Sequence, residues 1–216
     1  MSRRQALRPV VALDIDGVLN AAEGGVEHTI TIPAEDLPNS PFLRGHGSEV
    51  LTLTLHLDPA LGPWISALRE IADVVWATTW EDAANVYLAP LLGIDPIPVA
   101  VSVAADLQPY WSVADVVTWK ADALNRAYAG RVLVWLDDLA AVYRPRAGDI
   151  TRVGRTWWDW RTDRLGDRSH AAVPTLVIAP DPTVGLTAEH RAVVDRFLTD
   201  PWGLQHPTSA EGRRDE

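Results

Sequence analysis

The feature that most limits what this chain can become is a recurring short pattern, an apolar run that stops abruptly at acids or hydroxyls. "PVVALD" (9–14), "DVVWATT" (73–79) and "RVLVWLDD" (131–138) share it. Runs this short, bounded by turn residues, read as buried strands with a polar C-terminal tip. "IPVAVSV" (97–103) and "VPTLVIAP" (173–180) bring the expected buried strands to five. Helical segments fall between them. Residues 58–72 start with Asp58 as cap and Pro59 at the first helical position, and 81–93 closes on Gly93. A third helix is expected from Thr118 to the stop at Gly130, and a last one over 187–198 behind Thr187. Strands alternating with helices predict an α/β fold built on a parallel sheet. In such sheets ligands bind beyond the C-terminal strand ends, where the polar tips lie.

One stretch breaks the alternation. "HTITIP" (28–33) and "VLTLTLHL" (50–57) alternate apolar and polar residues, as half-exposed antiparallel strands do. The Pro- and Gly-rich segment 34–49 reads as the loop joining them. Residues 21–57 are therefore expected as a small β-hairpin flap or minimal cap, inserted after the first strand of a single domain over 1–206. Residues 139–172 match no regular pattern, and 207–216 read as a disordered tail.

Composition narrows the function classes. The 216 residues are enough for one full core without staples. No cysteine is present, which excludes disulfides and thiolate metal sites. The apolar run 10–13 is too short for a secretory signal, and no run approaches a membrane span, so a cytoplasmic location without membrane contact is expected. The net charge of −10 argues against broad nucleic-acid binding but leaves room for a local basic groove. Among 19 Lys and Arg residues a single one is lysine, Lys120. In a chain that otherwise uses arginine, an ammonium retained at one position suggests a task a guanidinium would not fit.

Each candidate site residue has an ordinary alternative. Asp14 and Asp16, two carboxylates at i and i+2 before Gly17, can converge from a strand end, and their repulsion implies a hard cation such as Mg²⁺. Equally, an Asp and an Asp-Gly turn can simply end a strand. Thr78 and Thr79 can hold phosphate oxygens, or can reflect the β-propensity of threonine. Lys120, expected in a helix's first turn against the dipole, implies something anionic facing it; most lysines are solvated. Asp137 and Asp138 end a strand as magnesium ligands do, or as a turn entry.

Taken in order, "DIDGV", a hydroxyl at the second strand end, Lys120 and "DD" at 137–138 resemble the four motifs of the haloacid dehalogenase-like (HAD) superfamily, of capless or small-cap type. The resemblance spans about residues 9–180. It implies a Rossmann-like sheet, magnesium dependence and an aspartyl-phosphate intermediate. By that likeness Asp14 is the nucleophile and a metal ligand. Asp16 is the general acid and then base, its backbone carbonyl on the metal. Thr78, with Thr79 as its competitor, positions the phosphoryl group. Lys120 stabilises charge on Asp14 and the transferring phosphoryl. Asp137 binds magnesium directly, and Asp138 ligates or orients a bound water. The second acid, Asp16, favours phosphate over carbon–halogen chemistry. A weaker likeness is to the HAD domains attached to some RNA-repair proteins, through "DGVLN" and the hydroxyl pair before Trp80.

The expected activity is a Mg²⁺-dependent phosphatase acting on a phosphomonoester, a phosphorylated small molecule or nucleotide. A nucleotide or nucleic-acid end is the preferred class, although the net charge does not support the latter. The alternatives are a phosphate-binding regulatory module without turnover and a phosphotransferase. Neither insertion point holds a large cap, so the site is expected to be open. Trp80, Trp111 and Trp119 lie beside the motifs, where packing is the ordinary reading and base stacking the functional one. Trp76 and Trp135 read as core, "WWDWR" (157–161) as a buried cluster or partner anchor, and His46 as a solvated or substrate-touching loop residue.

Overall fold

The computed structural model describes residues 7–36, 50–102, 112–142, 155–159, 164–168 and 174–201. Four short strands, β1 (Val10–Leu13), β4 (Asp73–Trp76), β5 (Leu133–Leu136) and β8 (Thr175–Ala179), form a parallel sheet in the order β4-β1-β5-β8. The register is level: Leu13 faces Trp76 on one side and Leu136 on the other. The acid and hydroxyl tips of three strands therefore emerge side by side at one end of the sheet. Beyond β8 the sheet continues with β6 (Arg155–Asp159), parallel to β8, and β7 (Arg164–Arg168), antiparallel to β6. This pair lies inside the 139–172 stretch that matches no sequence pattern.

Alternate residues of the parallel strands feed two apolar layers. Val11, Leu13, Trp76, Leu136 and Ile178 face one, with α1 (Leu61–Ile71) and α4 (Ala188–Thr199). Val10, Ala12, Val75, Trp135 and Val177 face the other, with α3 (Val113–Ala127). Both faces are covered, which is why these strands read as unbroken apolar runs. Each fully buried Val or Leu contributes about 1.5–3 kcal/mol. The flap is present as a separate antiparallel pair, β2 (Val26–Pro33) with β3 (Val50–Leu57). Ile30, Ile32, Leu53, Leu55 and Leu57 turn into the first layer, while Thr29, Thr31, Thr52 and Thr54 face out.

Four expectations need correction. α1 starts at Leu61 with Ala60 in the cap position, not at Pro59 behind Asp58, whose carboxylate accepts from Ala60 N in the preceding turn. Residues 97–103 do not form a strand: the segment meets β4 only through a bridge between Trp76 and Val99. Pro96 and Pro98 lack the N–H groups a ladder needs, and Asn85 holds the segment instead, accepting from Ile97 N and donating to Ile97 O. The helix expected over 81–93 is a π-helical turn, Ala84–Leu88, running into α2 (Ala89–Leu92). The wide turn precedes Pro90, whose ring cannot sit against a regular α-helical carbonyl, and Gly93 closes α2 in the left-handed region (φ 65°). α3 starts at Val113, not at Thr118. Ser112 accepts from Asp115 N while the Asp115 carboxylate accepts from Ser112 N, a reciprocal cap that outcompetes Thr118. Thr118 instead donates to Ala114 O within the helix. The tail 207–216 and most of the 34–49 loop, with His46, lie outside the described residues.

α1 packs end-on against α2 through a glycine. A Cβ at Gly62 would stand 1.9 Å from the Leu92 carbonyl oxygen. Gly62→Ala is expected to lower stability by about 1–3 kcal/mol through this overpacking, although alanine is the better helix former. Urea denaturation checks it, and a stabilised variant would show that the two helices separate freely.

Candidate active site

The site grows from the β1 tip. After Leu13 the chain leaves the sheet through Asp14 and closes a tight turn, in which the Ile15 carbonyl accepts from the N–H groups of Val18, Leu19 and Asn20. Gly17 takes φ 71° in that turn, and a Cβ there would lie 2.7 Å from Asp138 Cγ. Glycine is needed twice over: for the left-handed backbone and for the approach of Asp138. Asp14 N donates to Leu136 O, so Asp14 stands level with Asp137 on the neighbouring strand. On the other side Ala77 N donates to Leu13 O, which sets Thr78 beside the start of the turn.

Lys120 reaches this point from α3. It is not in the first turn but eighth in the helix, on the buried stripe Val117–Lys120–Ala121–Leu124. The helix-dipole reasoning therefore does not apply. Its Nζ donates to Asp14 Oδ2 and, at 2.9 Å, to Asp137 Oδ2. Lys120 is 1% exposed and Asp137 0%. Burial alone would push the ammonium towards neutrality, but Asp137 and Asp14 outweigh it and hold the lysine protonated well above its usual range. The second carboxylate oxygens are also anchored: Asp14 Oδ1 accepts from Ile15 N and Asp137 Oδ1 from Leu139 N, at 2.8 and 2.9 Å.

Asp138, partly exposed, completes the cluster. Oxygens of Asp14, Asp137 and Asp138 lie within 4.8 Å of one another. Two unit charges about 4 Å apart repel by roughly 4 kcal/mol at the effective dielectric of a protein surface, so one ammonium does not neutralise three carboxylates. Burial, reinforced by Asp137 and Asp14, pushes the Asp138 carboxyl up to about 7. Burial pushes Asp137 up to about 6 despite the pull of Lys120, with Asp14 adding to the rise. Hard oxygen donors, excess negative charge and free lone pairs on each carboxylate suit a metal ion, and these three residues could hold one.

Asp16 is turned differently. Its Oδ2 accepts from Trp80 Nε1 at 2.9 Å and its Oδ1 from Asn20 Nδ2 at 3.0 Å. Its side chain is not part of the three-carboxylate group. Burial raises its carboxyl above the ordinary range, while the two N–H donors act against that rise. Thr78 is fully buried and its Oγ1 accepts from Trp80 N at 3.3 Å, which leaves its own O–H to donate; Thr79 is half-buried. Asp14 and Asp137 are buried while Asp16, Gly17 and Asp138 keep partial exposure, so solvent reaches the cluster from that side. The openness expected of the site extends only that far.

The structure thus brings Asp14, Lys120, Asp137 and Asp138 into one cluster, with Asp16 at its mouth and Thr78 and Thr79 on the adjacent strand tip. Sequence reasoning singles out Trp80 for packing or base stacking, and misses that it and Asn20 hold Asp16. The i+4 spacing of Asn20 from Asp16 was a usable signal; nothing pointed Trp80 at Asp16, because its partner lies 64 residues away. Of the other tryptophans, Trp119 is half-buried against the second apolar layer, Trp76 and Trp135 are core, and Trp111 lies outside the described residues. No helix among the described residues is long and apolar enough to cross a membrane. Comparison with protein-family models, curated proteins and solved structures finds no match.

Two outcomes are expected of the metal-free protein. Lys120→Met leaves two buried carboxylates without their cation and should cost about 3–5 kcal/mol at pH 8, less as the pH falls and Asp137 takes up a proton. Denaturant titration at several pH values measures it, and a pH-independent loss would contradict this electrostatic account. Asp138 has a folded-state pKa raised above its unfolded value. Its contribution is then full below about pH 4 and lost as the pH rises through about 7. Asp138→Asn should therefore raise the melting temperature at pH 8 and leave it nearly unchanged at pH 4. A divalent cation should stabilise the wild type more than the variant. Equal effects at both pH values would show that Asp138 is not repelled by its neighbours.

Proposed function

We propose that the protein is a Mg²⁺-dependent phosphatase that hydrolyses a phosphomonoester through a phosphoryl group carried on Asp14, on a Rossmann-like fold of the HAD type. The observation that carries this reading is the Lys120 ammonium buried between Asp14 and Asp137, with Asp138 in ligating range. A structural ion pair would need one carboxylate. A lysine shared by two, beside a third, leaves the surplus negative charge that a divalent ion and a phosphoryl group would together complete.

The chemistry follows from the residues. The Asp14 carboxylate attacks phosphorus; the bond from phosphorus to the ester oxygen breaks, and Asp16 gives its proton to the departing oxygen. Asp16, now a carboxylate, takes a proton from water, whose oxygen attacks the phosphorus of the acyl phosphate. Inorganic phosphate leaves and the Asp14 carboxylate returns. Burial supports the first role of Asp16 by raising its pKa, and partial exposure supports the second by admitting water. Thr78, its oxygen already accepting from Trp80 N, has its hydroxyl proton free for a phosphoryl oxygen. Lys120 remains charged throughout and offsets the repulsion between an anionic nucleophile and an anionic substrate. Magnesium, held by Asp14, Asp137 and Asp138, would neutralise phosphoryl charge. The accessible class is a phosphorylated small molecule or nucleotide, since the net charge of −10 gives little affinity for a nucleic-acid backbone.

Hydrolysis of p-nitrophenyl phosphate tests the reading. Turnover should require Mg²⁺, vanish with chelator, return on adding the metal, and fall by about a thousandfold or more in Asp14→Asn, which removes the nucleophile. Phosphate binding without turnover would identify a binding module, and diversion of the phosphoryl group to added alcohols a phosphotransferase. Turnover that survives Asp14→Asn would overturn the assignment of the nucleophile.

A further inference from the structure

The residue after the threonine pair serves two groups at once. Trp80 is 5% exposed and belongs to the apolar layer that also takes in residues of α1 and the flap. Its backbone N–H donates to Thr78 Oγ1 at 3.3 Å, and its indole N–H donates to Asp16 Oδ2 at 2.9 Å. The next residue, Glu81, takes φ 49°, a left-handed conformation that is unfavourable for a non-glycine residue. A strained turn persists only where its surroundings hold it. From the opposite side Asn20 Nδ2 donates to Asp16 Oδ1, while Asn20 Oδ1 accepts from His56 N at the end of β3. Each oxygen of Asp16 thus has one fixed N–H donor, one from the β4 tip and one tied to the flap.

We propose that Trp80 is a positioning residue that, with Asn20, aims the Asp16 carboxyl at the ester oxygen and couples its placement to that of the Thr78 hydroxyl. The inference rests on the phosphatase reading. A buried indole N–H needs an acceptor in any fold, so the informative point is which acceptor it takes. Here the acceptor is the acid at the cluster's mouth, which lies outside the three-carboxylate group and is the proposed proton donor. With both oxygens held, the carboxyl cannot rotate towards Asp138 or swing into solvent without losing a hydrogen bond. The flap enters through Asn20: a displacement of β3 at His56 would release one side of the clamp. This gives the hairpin a route to the chemistry that needs no contact with substrate.

The leaving group supplies a readout that a packing role would not move. An alkoxide leaves slowly without a proton, whereas p-nitrophenolate leaves readily. Misplacing the acid should therefore penalise alkyl phosphates selectively. Trp80→Phe keeps an aromatic ring, smaller than the indole, and removes the N–H. In that variant kcat for an alkyl phosphate such as glycerol 2-phosphate should fall about tenfold further than kcat for p-nitrophenyl phosphate, with KM little changed. Asn20→Ala should show the same signature from the other side of the clamp. Equal losses on both esters in the two variants, or losses confined to KM, would overturn the proposal while leaving the phosphatase reading intact. A wild type inactive on both esters would remove that reading and the proposal with it. A measurement independent of turnover is the indole N–H resonance that disappears in Trp80→Phe. It should shift in Asp16→Asn and stay in place in Asp95→Asn, which alters an exposed acid paired with Arg69 of α1. Indifference to Asp16→Asn would also overturn the proposal.

Discussion

The structure is organised around one buried ammonium. Lys120 occupies a position on the apolar stripe of α3 where periodicity calls for a leucine or valine, and it is tolerated there because two carboxylates meet it. That requirement propagates outward. Asp14 and Asp137 must be level, which fixes the register of β1 against β5, and α3 must cross the sheet at the height of the strand tips. The ion triad is costly by itself. Desolvating three charges is repaid only by their mutual attraction and by the backbone N–H groups of Ile15 and Leu139 that take up the remaining oxygens. Apolar residues would pack in the same space at lower cost, and the phosphatase proposal rests on the triad standing there instead.

The surrounding architecture serves to bring short tips together. Strands of four or five residues, covered on both faces, supply a rigid edge, and the polar residues that end them have nowhere to point but beyond the sheet. Gly17 lets Asp138 close on the β1 turn. Asn85, held in the π-helical turn, ties Trp76 to the 94–99 segment by accepting from its indole at 2.8 Å, and so braces the strand that carries Thr78. At the opposite end of the sheet Arg131 donates to Asp73 at 2.5 Å and to Arg8 O, fastening the strand starts without touching the site.

Local grammar carried much of this. Short apolar runs with acid tips were legible as strands, alternating residues as a hairpin, and Thr187 as a cap, because each signal lies within a few residues. The errors were also physical. The segment 97–103 has strand-like composition, yet its prolines remove ladder donors. Thr118 looks like a cap, but the Ser112–Asp115 pair, which begins six residues earlier, satisfies more N–H groups. Lys120 was singled out by its uniqueness and by a dipole argument that fails; the stronger signal was its place three residues after Val117 and four before Leu124, on the stripe that must be buried. The Trp80 half of the clamp on Asp16 was not legible at all. It depends on how the β4 tip folds back over the β1 turn, a long-range arrangement with no local pattern.

The central claim is that Asp14 becomes phosphorylated in this cluster. It is tested most directly by quenching the protein during turnover, reducing with borohydride and sequencing the peptides by mass spectrometry. An acyl phosphate is reduced to an alcohol, whereas a free carboxylate is not. The account expects homoserine in place of aspartate at position 14, dependent on both substrate and Mg²⁺. Turnover that proceeds with position 14 unreduced, or with the mark on a different side chain, would contradict it.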